Sequence, residues 1–108
     1  MKLLITERLL LLEYLPKTGD FAALKEMRRA RETLSFTGDE LSTYEIATAA
    51  EGLVTWKNEG NSYEKDVPLT AWVTDKIQEL LRDKNAKSEL EERDYSLYDK
   101  FIVAYDQV

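Results

Sequence analysis

The first part of the chain has apolar residues at almost every helical position. Thr6 is a good N-cap and Pro16 disfavours helical geometry at the residue before it, so a first helix is predicted over about 7–14. At about 100° per residue its leucines point in nearly every direction, whereas a surface helix keeps its apolar residues in one stripe. They are Leu9, Leu10, Leu11, Leu12 and Leu15. We therefore expect apolar contacts on several sides of this helix, from its own fold or from a second copy.

Two further helical segments follow. Apolar spacing predicts a second helix over 21–34, capped by Asp20 or Thr18. Thr37, with Glu40 three residues later, forms a capping-box sequence. A short third helical turn is therefore predicted after Thr37.

From residue 44 the pattern changes to alternation of apolar and polar positions. Turn signals separate three alternating segments, 44–49, 53–57 and 63–67, which predict a three-stranded antiparallel sheet. A sheet this small needs one covered face to be stable, so we expect helices to pack on its apolar side. That side would carry Ile46, Val54, Trp56, Tyr63 and Val67.

Two helices are predicted after the sheet. Thr70 is the N-cap of a helix over 71–85, and Ser88 with Glu91 forms a capping-box sequence before a last helix that ends near Ala104. No repeat or linker divides the sequence. The predicted fold is one α+β domain over residues 1–108, with two N-terminal helices, the sheet, and two C-terminal helices packed together.

Composition excludes several classes of protein. The 108 residues are 44% apolar and 33% charged, which is too apolar for a disordered chain and too charged for a membrane span. Glu7 and Arg8 interrupt the leucine-rich N-terminus, which argues against a signal peptide. We therefore expect a soluble cytoplasmic protein that does not bind membranes.

The chain has no His and no Cys, so it cannot build the usual imidazole-assisted nucleophiles or transition-metal sites alone. No glycine-rich phosphate loop is present either, because the four glycines lie far apart. We predict that the protein is not an enzyme and has no catalytic residue, metal site or cofactor.

Charge is segregated along the chain, whose net charge is -6. Basic residues dominate between Lys17 and Arg31, and acidic residues dominate after Ser88. The basic helix could meet nucleic-acid phosphates, but the net charge repels a polyanion, so pairing within the fold or between subunits is favoured. We predict that Arg31 or Arg28 pairs with Asp94, whose position among apolar residues is odd for a charge. The alternative is that Asp94 lies in a frayed turn and faces water.

Trp72 points away from the apolar stripe of its own helix by roughly 100° or more. It either covers the edge of the neighbouring hairpin or lies exposed, where a tryptophan is a typical interface anchor. With Leu9, Leu10, Leu11 and Leu12 it forms the set of candidate interface residues.

Several short segments have a familiar order along the chain: 6–12, Leu15-Pro16, Gly19, 34–37, Trp56 in a hairpin, and 97–101. This layout resembles small uncharacterised proteins encoded by bacteriophages and prophages. The resemblance implies a phage origin, and hence a bacterial host cytoplasm, and it implies nothing about catalysis.

The functional hypothesis that follows is a non-enzymatic protein–protein interaction module that self-associates through apolar helical surface. The alternative is an acidic effector that binds a basic surface of a host protein. A nucleic-acid-binding protein that uses the helix over 21–34 is less favoured.

Overall fold

A computed structural model describes residues 1–105, which form short strands and a larger helical part. In chain order the elements are β1 (Lys2–Leu4), α1 (Ile5–Tyr14), α2 (Phe21–Leu34), α3 (Gly38–Thr43), β2 (Ala47–Thr48), β3 (Val54–Thr55), a 3-10 turn (Asn58–Ser62), β4 (Glu64–Asp66), α4 (Ala71–Ala86), a 3-10 turn (Glu92–Asp94), α5 (Tyr95–Tyr98) and a π-helical turn (Asp99–Val103). We call residues 92–103 the C-terminal segment. The predicted α+β class is confirmed.

Helix α1 begins two residues earlier than predicted. Its N-cap is Leu4 rather than Thr6. The Leu4 N–H donates to Glu7 Oε1 at 2.8 Å, and this bond stabilises a helix start at Ile5. The expectation that this helix is buried on more than one side is confirmed. Its buried residues are Ile5, Glu7, Arg8, Leu10 and Leu11.

Helices α2 and α3 have the predicted caps. The Asp20 carboxylate accepts the N–H of Ala23 at 2.8 Å, which fixes the start of α2. Thr37 Oγ1 accepts the Glu40 N–H at 3.1 Å, and the Glu40 carboxylate accepts the Thr37 N–H at 2.9 Å. Both bonds of the capping box are therefore formed.

The prediction of a three-stranded sheet is wrong. Strands β2 and β3 form one antiparallel pair, and β4 pairs with β1, in the register Lys2 to Asp66 and Leu4 to Glu64. The 3-10 turn over 58–62 lies between β3 and β4, and buried Gly60 packs closely under the Trp56 ring there. The chain is thereby led away from β3 and toward the N-terminal strand.

Helix α4 begins after Thr70 as predicted, and the hydroxyl of Thr70 accepts the Val73 N–H. The last predicted helix is shorter and broken. Ser88 has φ +56°, outside helical geometry, so no helix starts there. The Glu91 N–H donates instead to the Asp94 carboxylate at 2.8 Å, and the C-terminal segment starts at Glu92.

One apolar core joins these elements. It combines α1, the inner faces of α2 and α4, the edge of the β1–β4 pair and the C-terminal segment. Its fully buried members are Leu3, Leu11, Leu34, Val67, Leu81, Leu97 and Phe101. Among residues 1–105, no helix is both long and apolar enough to cross a membrane.

Candidate functional site

Three clusters of charged side chains lie inside the fold, and the first is centred on Arg8. Arg8 is fully buried, although an arginine in this position needs every donor paired. Its guanidinium donates to the carbonyls of Leu34 and Ser35 at 3.1 and 2.7 Å and to both oxygens of Glu40 at 2.7 and 3.1 Å. The cation therefore meets the free carbonyls that end α2 and the carboxylate that starts α3, and it fixes both helices to α1.

Hydrogen bonding sets the ionisation of this first cluster. Burial opposes the charge on Glu40, but hydrogen bonds from Arg8, Tyr63 and the Thr37 N–H outweigh it and lower the pKa of Glu40 to about 2. The Tyr63 hydroxyl donates to Glu40 at 2.6 Å, and this bond raises the pKa of Tyr63 to about 12. Glu40 is therefore a fixed anion at neutral pH, held as a structural partner of Arg8.

The second cluster joins Lys100 to Glu7. Lys100 Nζ donates to Glu7 Oε1 at 2.7 Å, to Glu64 at 2.8 Å and to the Lys2 carbonyl at 2.9 Å. It thereby fixes the C-terminal segment against β1, α1 and β4. Glu7 is 2% exposed, and its Oε2 has no hydrogen-bond partner among the described residues. Buried polar atoms without a partner are rare in folded proteins.

The third cluster contains Asp94, and the predicted pair between Asp94 and Arg31 or Arg28 is wrong. Asp94 is fully buried and accepts hydrogen bonds from the Tyr14 hydroxyl and the Glu91 N–H. Lys84 Nζ lies 3.5 Å from Asp94 Oδ2. The alternative hypothesis, in which Asp94 faces water, is wrong as well, because Asp94 is fully buried. The physical reason is that the C-terminal segment packs against α4 and the end of α1, and not beside the basic side of α2.

The ionisation of the third cluster follows from these contacts. Burial opposes the charge on Asp94, but the hydrogen bonds from Tyr14 and the Glu91 N–H, with the nearby Lys84, hold the pKa of Asp94 below its usual range. Burial and the bond to Asp94 raise the pKa of Tyr14. The cluster is a charged link between the ends of α1, α4 and the start of the C-terminal segment.

A surface groove of about 590 Å³ lies between α1 and the C-terminal segment. We call it the acidic groove. It is lined by Thr6, Glu7, Leu9, Leu10, Glu13, Glu92, Arg93, Tyr95 and Ser96. Its one lining cation, Arg93, contacts Glu13 at 3.3 Å and Glu91 at 3.0 Å, so carboxylates dominate the groove. In the part of the chain that the structure describes, no group of three or more acidic side chains is arranged to hold a metal ion.

The outer side of α2 has the opposite charge. We call it the basic face; it consists of Phe21, Leu24, Lys25, Arg28 and Arg31, which surround a depression of about 260 Å³. Phe21 is 83% exposed and Leu24 41% exposed, so two large apolar side chains stand one turn apart in water. Arg31 is half-buried and donates to the Pro16 carbonyl at 2.9 Å. Arg28 is exposed on the same face.

The candidate interface residues lie in different places. Leu10 and Leu11 are buried in the core, and Leu12 is half-buried against it. Leu9 is half-buried and lines the acidic groove. Trp72 is half-buried in a second groove, between the starts of α2 and α4, with Lys76 Nζ 5.6 Å from its ring centre. The structure does not bring these five residues together into one surface.

Sequence reasoning missed Phe21 and Tyr95 as exposed aromatic residues. A signal for Phe21 was present, because at about 100° per residue it points at least about 120° away from Met27, Ala30 and Leu34. Those three residues form the buried side of α2. No comparable signal existed for Tyr95, because its direction depends on where the interrupted C-terminal segment starts.

The chain matches no protein-family model, no curated protein and no solved structure. The resemblance to small phage-encoded proteins therefore stays a prediction from the residues alone.

Proposed function

We propose that this chain is a non-enzymatic protein–protein interaction module that associates with further copies of itself. The observation that carries the proposal is the exposure of Phe21 beside Leu24 on α2. Single exposed apolar side chains are normal on a protein surface, but neighbouring ones of this size are typical of contact sites. Burial of a phenylalanine side chain stabilises a contact by about 1.5–3 kcal/mol, so Phe21 alone could supply much of a weak interface.

A second partly apolar surface supports the same function. Leu9 lies in the acidic groove, and Tyr95, which is 73% exposed, stands at its side. Tyrosine is enriched at protein interfaces because it offers a large apolar ring together with a polar end. The chain thus presents two surfaces for contact, one on α2 and one between α1 and the C-terminal segment.

Sedimentation velocity and light scattering from micromolar to hundreds of micromolar protein test the proposal. The parent chain should show a mass that rises with concentration, and Phe21→Ser should weaken this association at least about tenfold, as expected for about 1.5 kcal/mol. Leu53→Ser is the matched control, because Leu53 is 64% exposed but lies between β2 and β3. A parent that stays monomeric throughout would contradict the proposal.

The second candidate is an acidic effector, of phage origin, that binds a basic surface of a bacterial host protein. The carboxylates of the acidic groove and the net charge of -6 favour it. Binding of this kind must weaken steeply as salt is added, because it depends on screened charges. Capture of a basic host protein that does not respond to salt, or that survives Glu13→Lys, would count against this function.

A further inference from the structure

The acidic groove and the basic face have no lining residue in common. The first carries carboxylates of Glu7, Glu13 and Glu92, and the second carries Lys25 and Arg28 around exposed apolar side chains. One chain therefore presents two different surfaces that are complementary in charge. Each is also partly apolar, so contact between them would remove hydrophobic area from water on both sides.

Charge selects which surfaces of two copies can meet. Contact of one basic face with another brings like charges together, and so does contact of one acidic groove with another. Contact of a basic face with an acidic groove brings opposite charges together, although the net charge of -6 repels the copies at long range. A contact between two different surfaces is heterologous, and it leaves one free face and one free groove at the ends of every open assembly.

The carboxylates of the groove differ in accessibility. Glu7 lines the groove, but its Oε2 is buried without a hydrogen-bond partner among residues 1–105, while Oε1 accepts from Lys100 and the Leu4 N–H. Because Oε2 is enclosed within the chain, the carboxylates that a docking copy contacts are those of exposed Glu13 and Glu92. Guanidinium and ammonium groups are the strongest donors for carboxylates, and the basic face carries both, on Arg28 and Lys25.

The apolar parts of the two surfaces are also complementary. Phe21 projects from the basic face, with 83% of its surface exposed. The groove offers Leu9 and the wall formed by Tyr95. An aromatic side chain that enters a groove beside a charge pair is the usual arrangement of an interface anchor.

We infer that the basic face of α2 in one copy docks into the acidic groove of the next copy, so that self-association is head-to-tail. The inference rests on the proposed self-association and adds which two surfaces meet. Phe21 enters the groove against Leu9 and Tyr95, and a cationic side chain of the basic face pairs with the groove carboxylates. The assembly grows by addition of copies at either end, rather than stopping at a symmetric dimer.

Two charge reversals at exposed residues test this arrangement. Arg28→Glu inactivates the basic face and leaves the groove intact, whereas Glu92→Lys inactivates the groove and leaves the face intact. Arg82→Glu and Glu51→Lys are matched controls, because they change the net charge by the same amounts at exposed positions that line neither surface. Circular dichroism establishes that each variant is folded.

Sedimentation of single variants and of their mixture then gives the result. Each of Arg28→Glu and Glu92→Lys should be monomeric where the parent associates, and both controls should behave as the parent does. An equimolar mixture of the two variants should associate again, because the unchanged basic face of Glu92→Lys meets the unchanged groove of Arg28→Glu, and the two reversed surfaces also carry opposite charges. The chain that carries both reversals should associate for the same reason, with the charges exchanged.

Several results would overturn the inference, and they separate it from the proposed function. A parent that associates while the mixture of variants stays monomeric, or while either single variant still associates, removes the head-to-tail contact but keeps self-association. A parent that is monomeric at every concentration removes both. If a monomeric parent binds a basic protein through Glu92, the occupant of the groove is that partner and the inference is wrong.

Discussion

The contact between Arg8 and Glu40 gives the sharpest stability prediction, and Glu40→Gln is the change that tests it. The substitution keeps the shape of the side chain but removes the charge that faces a fully buried guanidinium. In the folded chain the pKa of Glu40 falls from its usual 4.5 to about 2. A factor of ten in proton affinity corresponds to about 1.4 kcal/mol, so ionised Glu40 stabilises the fold by about 3 kcal/mol at pH 7. Loss of one partner of a buried ion pair costs about 3–5 kcal/mol in general.

The lower end of that range is expected, because Arg8 keeps two carbonyl partners at Leu34 and Ser35. Glu40→Gln should therefore reduce the free energy of unfolding by about 3 kcal/mol at pH 7. Removal of the cation as well, in Arg8→Met with Glu40→Gln, should restore part of this loss, since no unpaired charge is then buried.

The effect of Glu40→Gln should also depend on pH. The pKa of Glu40 is lower in the folded than in the unfolded chain, so its contribution is complete above about 4.5 and is lost as the pH falls through about 2. The difference between parent and variant should therefore shrink to about half at pH 3.

Urea unfolding followed by the fluorescence of the two tryptophans measures these differences at pH 7, 5 and 3. Glu51→Gln, an exposed position between β2 and β3, is the control and should change stability by less than about 0.5 kcal/mol. A Glu40→Gln variant as stable as the parent at pH 7 would refute the reasoning. So would a difference that stays the same at pH 3.

Other substitutions test the core and the third charge cluster. Asp94→Ala removes the fully buried acceptor of the half-buried Tyr14 hydroxyl and of the Glu91 N–H, and should lower the free energy of unfolding by about 3 kcal/mol in urea; no measurable loss would show that the cluster is not structural. Leu11→Ala should lower it by about 2–5 kcal/mol, against less than about 0.5 kcal/mol for exposed Leu53→Ala, and equal effects would contradict the central place of α1. Gly60→Ala places a Cβ 2.9 Å from the Trp56 ring and should lower the free energy of unfolding by about 1–3 kcal/mol in thermal unfolding. An unchanged midpoint would mean that the turn accommodates the methyl group without loss of stability.

Local signals along the chain were enough to predict where the regular helices lie. Asp20, Thr37 and Thr70 each accept the backbone N–H expected of a cap, and these bonds depend only on residues within the same turn. The prediction of the last helix was wrong, and the cause is again a local backbone feature. Ser88 and Glu91 have the right residue types for a capping box, but the left-handed φ of Ser88 prevents it, and sequence does not reveal that angle.

Strand pairing could not be predicted in the same way, because a partner strand is chosen by distant residues. Strand β4 pairs with β1, and the two are separated by most of the helical part of the chain. Alternation in the sequence indicates that 63–67 is extended, but it gives no preference between β3 and an N-terminal strand of three residues. The bonds from Lys100 to the Lys2 carbonyl and to Glu64 hold this pairing, and they too are long-range.

The buried charges explain both the success and the failure of the sequence reasoning about α1. Leucines in nearly every direction correctly indicated a helix enclosed by other elements. This ten-residue helix, however, also buries the charged residues Glu7 and Arg8. Their partners, Lys100 and Glu40, come from distant parts of the chain. The residue types alone would have placed both charges in water.

Because of this arrangement, the candidate contact surfaces are not centred on α1, where the leucines of the sequence had suggested them. Because α1 uses Leu10 and Leu11 for the core and Arg8 to fix two helices, it has little left to offer a partner except Leu9. The two most exposed aromatic side chains lie instead on α2, at Phe21, and on the interrupted C-terminal segment, at Tyr95. Substitutions at Phe21 and Tyr95 should therefore change association without changing stability, whereas Leu10 and Leu11 should do the reverse. Association that responds to Leu11→Ala in a chain that remains folded would place the contact on α1 and contradict this division.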